Sequence, residues 1–159
     1  MEKLFLRAIS KSPEETEAQG RLLAEKIESL PEYGESFIFV ALYGDLGAGK
    51  TAFVRGLASV IAPGAHVSSP TYAIVNEYRG LRASLVHFDF YRIESEDELY
   101  SIGFDDYFTP GVVIAAEWCE RIPFALPRRR FDVKIAGSGG SPREIEVFAI
   151  GYYVFPTQH

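Results

Sequence analysis

The sequence predicts an α/β domain with a mixed sheet: parallel core strands, antiparallel hairpins and flanking helices. Three observations carry that prediction. Two predominantly apolar runs, FIFVALY at 37–43 and VVIAAEW at 112–118, have the composition of strands buried on both faces, as parallel strands are. Stretches with apolar residues at helical spacing lie between strand candidates. Two pairs of strand-like segments meet at glycine, the pattern of hairpins. At 159 residues the chain is read as one domain spanning 1–159, long enough to bury about two-thirds of the surface its unfolded form exposes.

Each element has its own signal. LFLRAI (4–9) is a short apolar strand. Ser12-Pro13-Glu14-Glu15 starts a helix, with Ser as N-cap, Pro at the first helical position and Glu three residues after the cap. Leu22, Leu23, Lys26, Ile27 and Leu30 then give that helix its buried stripe, and it stops near Pro31. After FIFVALY, Lys50 to Ile61 reads as a second helix. AIVNEYR (73–79) and ASLVHFDFYR (83–92) flank Gly80 as a hairpin, and Glu94 to Ile102 is a short acidic helix. VVIAAEW follows, and RFDVKIA and REIEVFAI around GSGGSP form the second hairpin. That Gly/Ser loop is a turn and not a domain linker, because too little chain follows it to fold alone.

Composition narrows the function. Hydrophobic residues make up 47% and charged residues 24%, ordinary for a soluble globular protein. A net charge of −6 argues against a stand-alone binder of nucleic acid, where affinity comes from neutralising phosphates. Cys119 is the single cysteine, so no intramolecular disulfide forms, as suits a reducing cytoplasm. The opening MEKLFLRAISKSPEETE has no long apolar core and turns acidic at once, unlike a secretory signal. No apolar run approaches the roughly 20 residues of a membrane helix. The expectation is a cytoplasmic protein.

The segment GDLGAGKT at 44–51 satisfies the P-loop pattern, between a buried strand and a helix. Glycines let backbone N–H groups turn inward around an anion without Cβ clashes, and the first turn of the helix adds unpaired N–H groups and its positive end. Gly44, Asp45, Leu46, Gly47, Ala48, Gly49, Lys50, Thr51 and Ala52 are therefore the candidate nucleotide-binding residues. Lys50 can reach the β- and γ-phosphates of a nucleotide, and the Thr51 hydroxyl can ligate Mg²⁺. The fold expected around such a loop is P-loop NTPase-like.

A P-loop also needs an acid near the metal, at a strand end. Asp89 and Glu117 are the two candidates. By the strand period, Leu85, His87, Asp89 and Tyr91 face one way, and Val86, Phe88 and Phe90 the other. Glu117 ends the run VVIAAE. One acid holds the metal, in part through water, and the other orients or deprotonates an attacking water. His87 is a packed strand histidine, and Trp118 packs in the core or at the pocket rim. Asn76, the only asparagine, is followed by Glu77 and Tyr78, so the guanine-reading motif of GTPases is missing. A small-molecule kinase stays open, with Pro127-Arg128-Arg129-Arg130 as a conceivable lid, although a solvated strand entrance is the favoured reading of that run. A nucleotide-binding module without turnover stays open as well.

The ordered set GDLGAGKT, Ser69-Pro70-Thr71-Tyr72, His87-x-Asp89-x-Tyr91-Arg92 and Glu117-Trp118 resembles the TsaE (YjeE) family. That family is the bacterial ATPase subunit of the machinery that makes threonylcarbamoyladenosine at position 37 of tRNA. The resemblance covers roughly residues 4 to 150. It implies Lys50 and Thr51 at phosphate and Mg²⁺, Asp89 as the metal-side carboxylate, and Glu117 as the acid needed for hydrolysis. It implies Trp118 as a nucleotide-side aromatic, and Thr71 in a switch segment that senses the γ-phosphate. It also implies TsaD-like and TsaB-like partner proteins, with tRNA met only through them. Cys119 stands where such families usually carry proline, which leaves the backbone after Trp118 less restrained. The tail GYYVFPTQH has no counterpart, and its aromatics are expected to cover the core.

Overall fold

The two apolar runs lie side by side at the centre of a sheet. The computed structural model describes residues 2–45, 47–68, 74–137 and 139–152. Among these, the strands are β1 (Glu2–Ser10), β2 (Ile38–Tyr43), β3 (Val75–Arg79), β4 (Ser84–Asp89), β5 (Val112–Glu117), β6 (Arg130–Ala136) and β7 (Arg143–Ile150). The helices are α1 (Pro13–Glu28), α2 (Lys50–Ile61) and α3 (Glu96–Ser101). The sheet order is β1-β7-β6-β2-β5-β4-β3. β6, β2, β5 and β4 form a parallel core, while β3, β7 and β1 attach antiparallel. Both expected hairpins, β3–β4 and β6–β7, are present.

Each face of the sheet has its own cover. Leu23 and Ile27 of α1 and Phe53, Val54 and Leu57 of α2 pack on Val40, Leu42, Leu85, Val113, Ala115 and Val133. The opposite face carries Phe39, Val86, Phe88 and Ile114, covered by Phe90, Leu99 of α3, Phe104 and Ile122. The strand period of two explains the division, because alternate residues of β4 and β5 enter different clusters. Leu22 does not join the stripe of α1: it is 46% exposed, and Thr16, Gly20, Leu23 and Ile27 make the buried face. α1 and α2 touch backbone to backbone. A Cβ on Gly20 would stand 2.1 Å from the Phe53 carbonyl oxygen, and one on Gly56 would stand 2.0 Å from that of Glu17.

The start of α1 is built as its sequence predicts: Ser12 Oγ accepts from the Glu15 N–H at 3.1 Å. The Glu15 carboxylate reaches back to the Lys11 N–H at 3.3 Å. α3 repeats the device, with Ser95 Oγ accepting from the Glu98 N–H at 3.2 Å. The arginine run is a strand entrance. Arg129 pairs with Glu32 at 2.9 Å and Arg130 with Asp132 at 2.8 Å. Because β6 is parallel to β2, the run enters the sheet at the end opposite to the 44–51 loop. Among the described residues no helix is long and apolar enough to cross a membrane.

Candidate functional site

Register brings the site residues together. Leu42 of β2 is level with Glu117 of β5, and Glu117 is level with Asp89 of β4. All three strands therefore deliver their carboxyl ends to one edge, the edge where open parallel sheets bind ligands. His87 and Asp89 point to the face of Leu85, and Glu117 to the face of Val113 and Ala115, which is the α2 side of the sheet. Chain topology thus puts two carboxylates beneath the first turn of α2.

The loop leaves β2 at Gly44 and turns at Gly47 (φ 79°) and Gly49 (φ 110°), both left-handed. Gly49 occupies the N-cap position of α2, so no N-cap side chain takes up the first-turn N–H groups. The Gly44 N–H donates to Glu120 Oε2 at 3.0 Å. Lys50 is buried, and its ammonium donates to Gly44 O and, at 3.2 Å, to Asp45 O. The same ammonium lies 3.7 Å from the centroid of the Trp118 ring. Burial holds the Lys50 pKa below its ordinary value, and the nearby carboxylates of Glu117, Glu120, Asp89 and Asp45 oppose that shift.

Glu117 is the hub. Its Oε2 accepts from Thr51 Oγ1 at 3.0 Å and lies 2.5 Å from His87 Nε2, which is completely buried. His87 Nδ1 has no hydrogen-bond partner among the described residues, which fits the tautomer that donates from Nε2 to the carboxylate. Asp89 Oδ1 accepts from the Tyr91 N–H at 3.0 Å, holding the carboxylate at the strand end. Trp118 follows Glu117 with φ 63°, an uncommon left-handed conformation for a non-glycine residue, and its ring lies 5.0 Å from that of Tyr91. The backbone beyond it makes local contacts. Cys119 is buried, its thiol donates to Ala116 O at 3.1 Å, and Cys119–Arg121 form a 3-10 turn.

One cleft of about 320 Å³ is lined by Gly47, Ala48, Gly49, Lys50, Thr51, Ala52, Asp89, Glu117 and Trp118, together with Pro13 and Arg55. Nine of the sequence-predicted site residues meet there. Gly44 and Asp45 stand behind it, as acceptors for Lys50. Leu46 and Thr71, with the rest of Ser69–Tyr72, lie outside the described residues, as does the tail from 153 onward. Tyr152, just before that point, is buried with its ring 5.1 Å from that of Phe131. A second cleft of about 270 Å³ adjoins the first, sharing Pro13, Gly47, Ala48, Gly49 and Ala52 and adding Ser10, Lys11, Ser12, Thr16 and Arg143.

The donor chemistry fits a magnesium–polyphosphate group. Among the described residues no cluster of three His, Cys, Asp or Glu forms a metal cage. Mg²⁺ bound with phosphates needs only one or two protein oxygens and keeps its remaining waters, and Thr51, Glu117 and Asp89 are oxygen donors at one cleft. Sequence reasoning missed three neighbours: His87 as the partner of Glu117, Glu120 at the Gly44 N–H, and Arg143 against the loop. For His87 a signal existed, because it shares the face of Asp89 two residues away.

Comparison with known proteins gives the family. A family model described as "Threonylcarbamoyl adenosine biosynthesis protein TsaE" matches residues 10–145. The tRNA threonylcarbamoyladenosine biosynthesis protein TsaE of Bacillus subtilis (strain 168) is 36% identical over 151 residues, covering 95% of this chain and 89% of that protein. The protein of the same name from Haemophilus influenzae is 39% identical over 116 residues, covering 73% of this chain and 72% of its own length. A crystal structure of Bacillus subtilis YdiB superposes with a TM-score of 0.72 at 32% identity, covering 95% of this chain and 88% of that one. With a loop between buried strand and helix, two acids in register beneath it, and a family match across most of its length, the chain belongs to the TsaE family.

Proposed function

We propose that residues 1–159 act as one P-loop ATPase domain, which couples Mg-dependent ATP binding and hydrolysis to a partner complex forming threonylcarbamoyladenosine at position 37 of tRNA. Family membership supports the broader role, an ATP-binding subunit in that biosynthesis. The observation that carries the hydrolytic reading is the convergence of Gly47–Thr51, Asp89 and Glu117 on one cleft at the carboxyl ends of the parallel strands.

In this reading the open N–H groups of α2 and the ammonium of Lys50 bind the phosphates, and the adjoining cleft by Lys11, Ser12 and Thr16 seats the nucleoside. Thr51, Asp89 and Glu117 are the oxygen donors toward Mg²⁺, which when bound neutralises charge developing on the transferred phosphoryl group. Glu117, oriented by His87, orients a water and takes its proton. Asp89 holds the metal side, and Trp118 bounds the cleft next to Lys50. The segment with Thr71 senses the γ-phosphate. TsaD-like and TsaB-like proteins are the partners and hold the tRNA, since a chain of net charge −6 is ill suited to grip it. The setting is the cytoplasm.

The small-molecule kinase reading loses its lid, because the arginine run enters the sheet at the far end from the loop. The test is ATP turnover with Mg²⁺, alone and with TsaD-like and TsaB-like proteins of the same organism. Alone, the rate is expected at about 10⁻⁴ to 10⁻² per second, the range of P-loop hydrolases without an added arginine finger, and it should rise with the partners. A fast rate alone, or one indifferent to those proteins, overturns the coupled reading.

A further inference from the structure

Arg143, the first residue of β7, reaches the backbone of the 44–51 loop. Its guanidinium fans across carbonyl groups of two separate loops. Nε donates to Ala48 O at 3.0 Å and Nη2 to Gly47 O at 3.1 Å. Nη2 also donates to Gly139 O at 3.1 Å, and Nη1 to Ser141 O at 2.5 Å, both in the β6–β7 turn. We propose that Arg143 is a positioning residue that clamps the phosphate loop to the β6–β7 turn and so fixes the direction in which its amides point. The proposal rests on the reading that this loop takes polyphosphate.

The reasoning is geometric. A trans peptide is planar, with its carbonyl oxygen and its N–H on opposite sides. Arg143 holds the oxygen of the Gly47–Ala48 peptide, and the N–H of that peptide donates to Asp45 O at 3.0 Å, so the plane is fixed at both ends. Arg143 also holds the oxygen of the Ala48–Gly49 peptide, which turns the Gly49 N–H away from the guanidinium. Ala48 is anchored in the core, but at Gly47 no steric wall supplies this order. A Cβ on Gly47 would meet nothing within 4 Å, and a glycine there has access to other conformations. Only a planar fork with several donors spans these carbonyls at once; an ammonium is a single point of charge on a flexible stem.

Three readouts on the purified chain test the clamp: affinity for ADP, affinity for inorganic pyrophosphate, and amide hydrogen exchange without ligand. Arg143→Lys keeps the charge and loses the fork. It is expected to raise Kd for ADP and for pyrophosphate alike by about tenfold, the scale of one lost hydrogen bond to a charged group. Exchange should quicken at the amides of residues 47–50 and stay unchanged in the central strands. Arg143→Ala should do the same or more; if it fails to fold, the lysine variant decides alone. Wild-type affinities in Arg143→Lys overturn the proposal, because charge alone would then suffice. A loss for ADP with none for pyrophosphate also overturns it, marking a contact to the nucleoside. So does faster exchange spread through the whole chain, the mark of a merely structural residue. If the unaltered chain binds neither ligand, the polyphosphate reading fails, and the exchange data still judge the clamp.

Discussion

The two long helices begin in opposite ways. α1 starts with Ser12 in an extended conformation, accepting from the Glu15 N–H, with Glu14 and Glu15 in its first turn. α2 starts with left-handed Gly49, has no side-chain cap and no acid in its first turn, and carries Lys50 as its first residue. Both ends face the same physical demand: unpaired N–H groups and about half a positive charge. The chain answers it for α1, and again for α3 with Ser95, and leaves it unanswered for α2 while adding a cation. An anion is one group that would complete that end. The difference teaches that a withheld cap, where neighbouring helices are capped, marks a site as clearly as any side chain placed there.

Four experiments sharpen or break that contrast, beginning with the largest effect. Glu117→Gln should cut Mg·ATP turnover by about 10²–10⁴-fold, the range for a positioned acid–base group, with ATP binding retained. Wild-type turnover in single-cycle assays would remove Glu117 from the chemistry. Lys50→Ala should weaken ATP by about ten- to hundredfold, since a charge-assisted hydrogen bond is worth roughly 1.5–3 kcal/mol. Calorimetry that returned the wild-type Kd would show that the open end of α2 is not the seat. Gly20→Ala should lower stability by about 1–3 kcal/mol, because its Cβ would stand 2.1 Å from Phe53 O and force α1 off α2. Urea midpoints read this directly, and an unshifted midpoint would mean the helices slide apart freely. Ser12→Ala should have the smallest effect, about 1 kcal/mol of stability with pyrophosphate affinity unchanged. If pyrophosphate binding fell in step with stability, the two helix ends would not differ in kind.

Much of this was legible because it is local. The loop motif, the span Lys50–Ile61 of α2, the Ser12 cap and both hairpins follow from spacing and residue type within a few positions. What the sequence hid depends on which strands lie side by side. His87 could be put on the face of Asp89, but its bond to Glu117 needs β4 and β5 in register. Arg143 stands 95 residues from Ala48 and meets it only because β7 returns beside β6. Gly20 and Gly56 look like weak points in helices, and prove to be where two backbones touch. Leu22 fits helical spacing as well as Leu23 does, and only the direction of the sheet tells them apart.

The place of β7 between β1 and β6 also has a consequence in time. A ribosome adds about 5–20 residues per second, so some 5–20 s separate the emergence of Ala48 from that of Arg143. During that interval the nascent loop exists without its clamp, and β1 waits for the strand it pairs with. Pairings this distant along the chain slow folding, because the entropy of closing a long loop is spent before the contacts return anything. The 44–51 loop is made early and matures late.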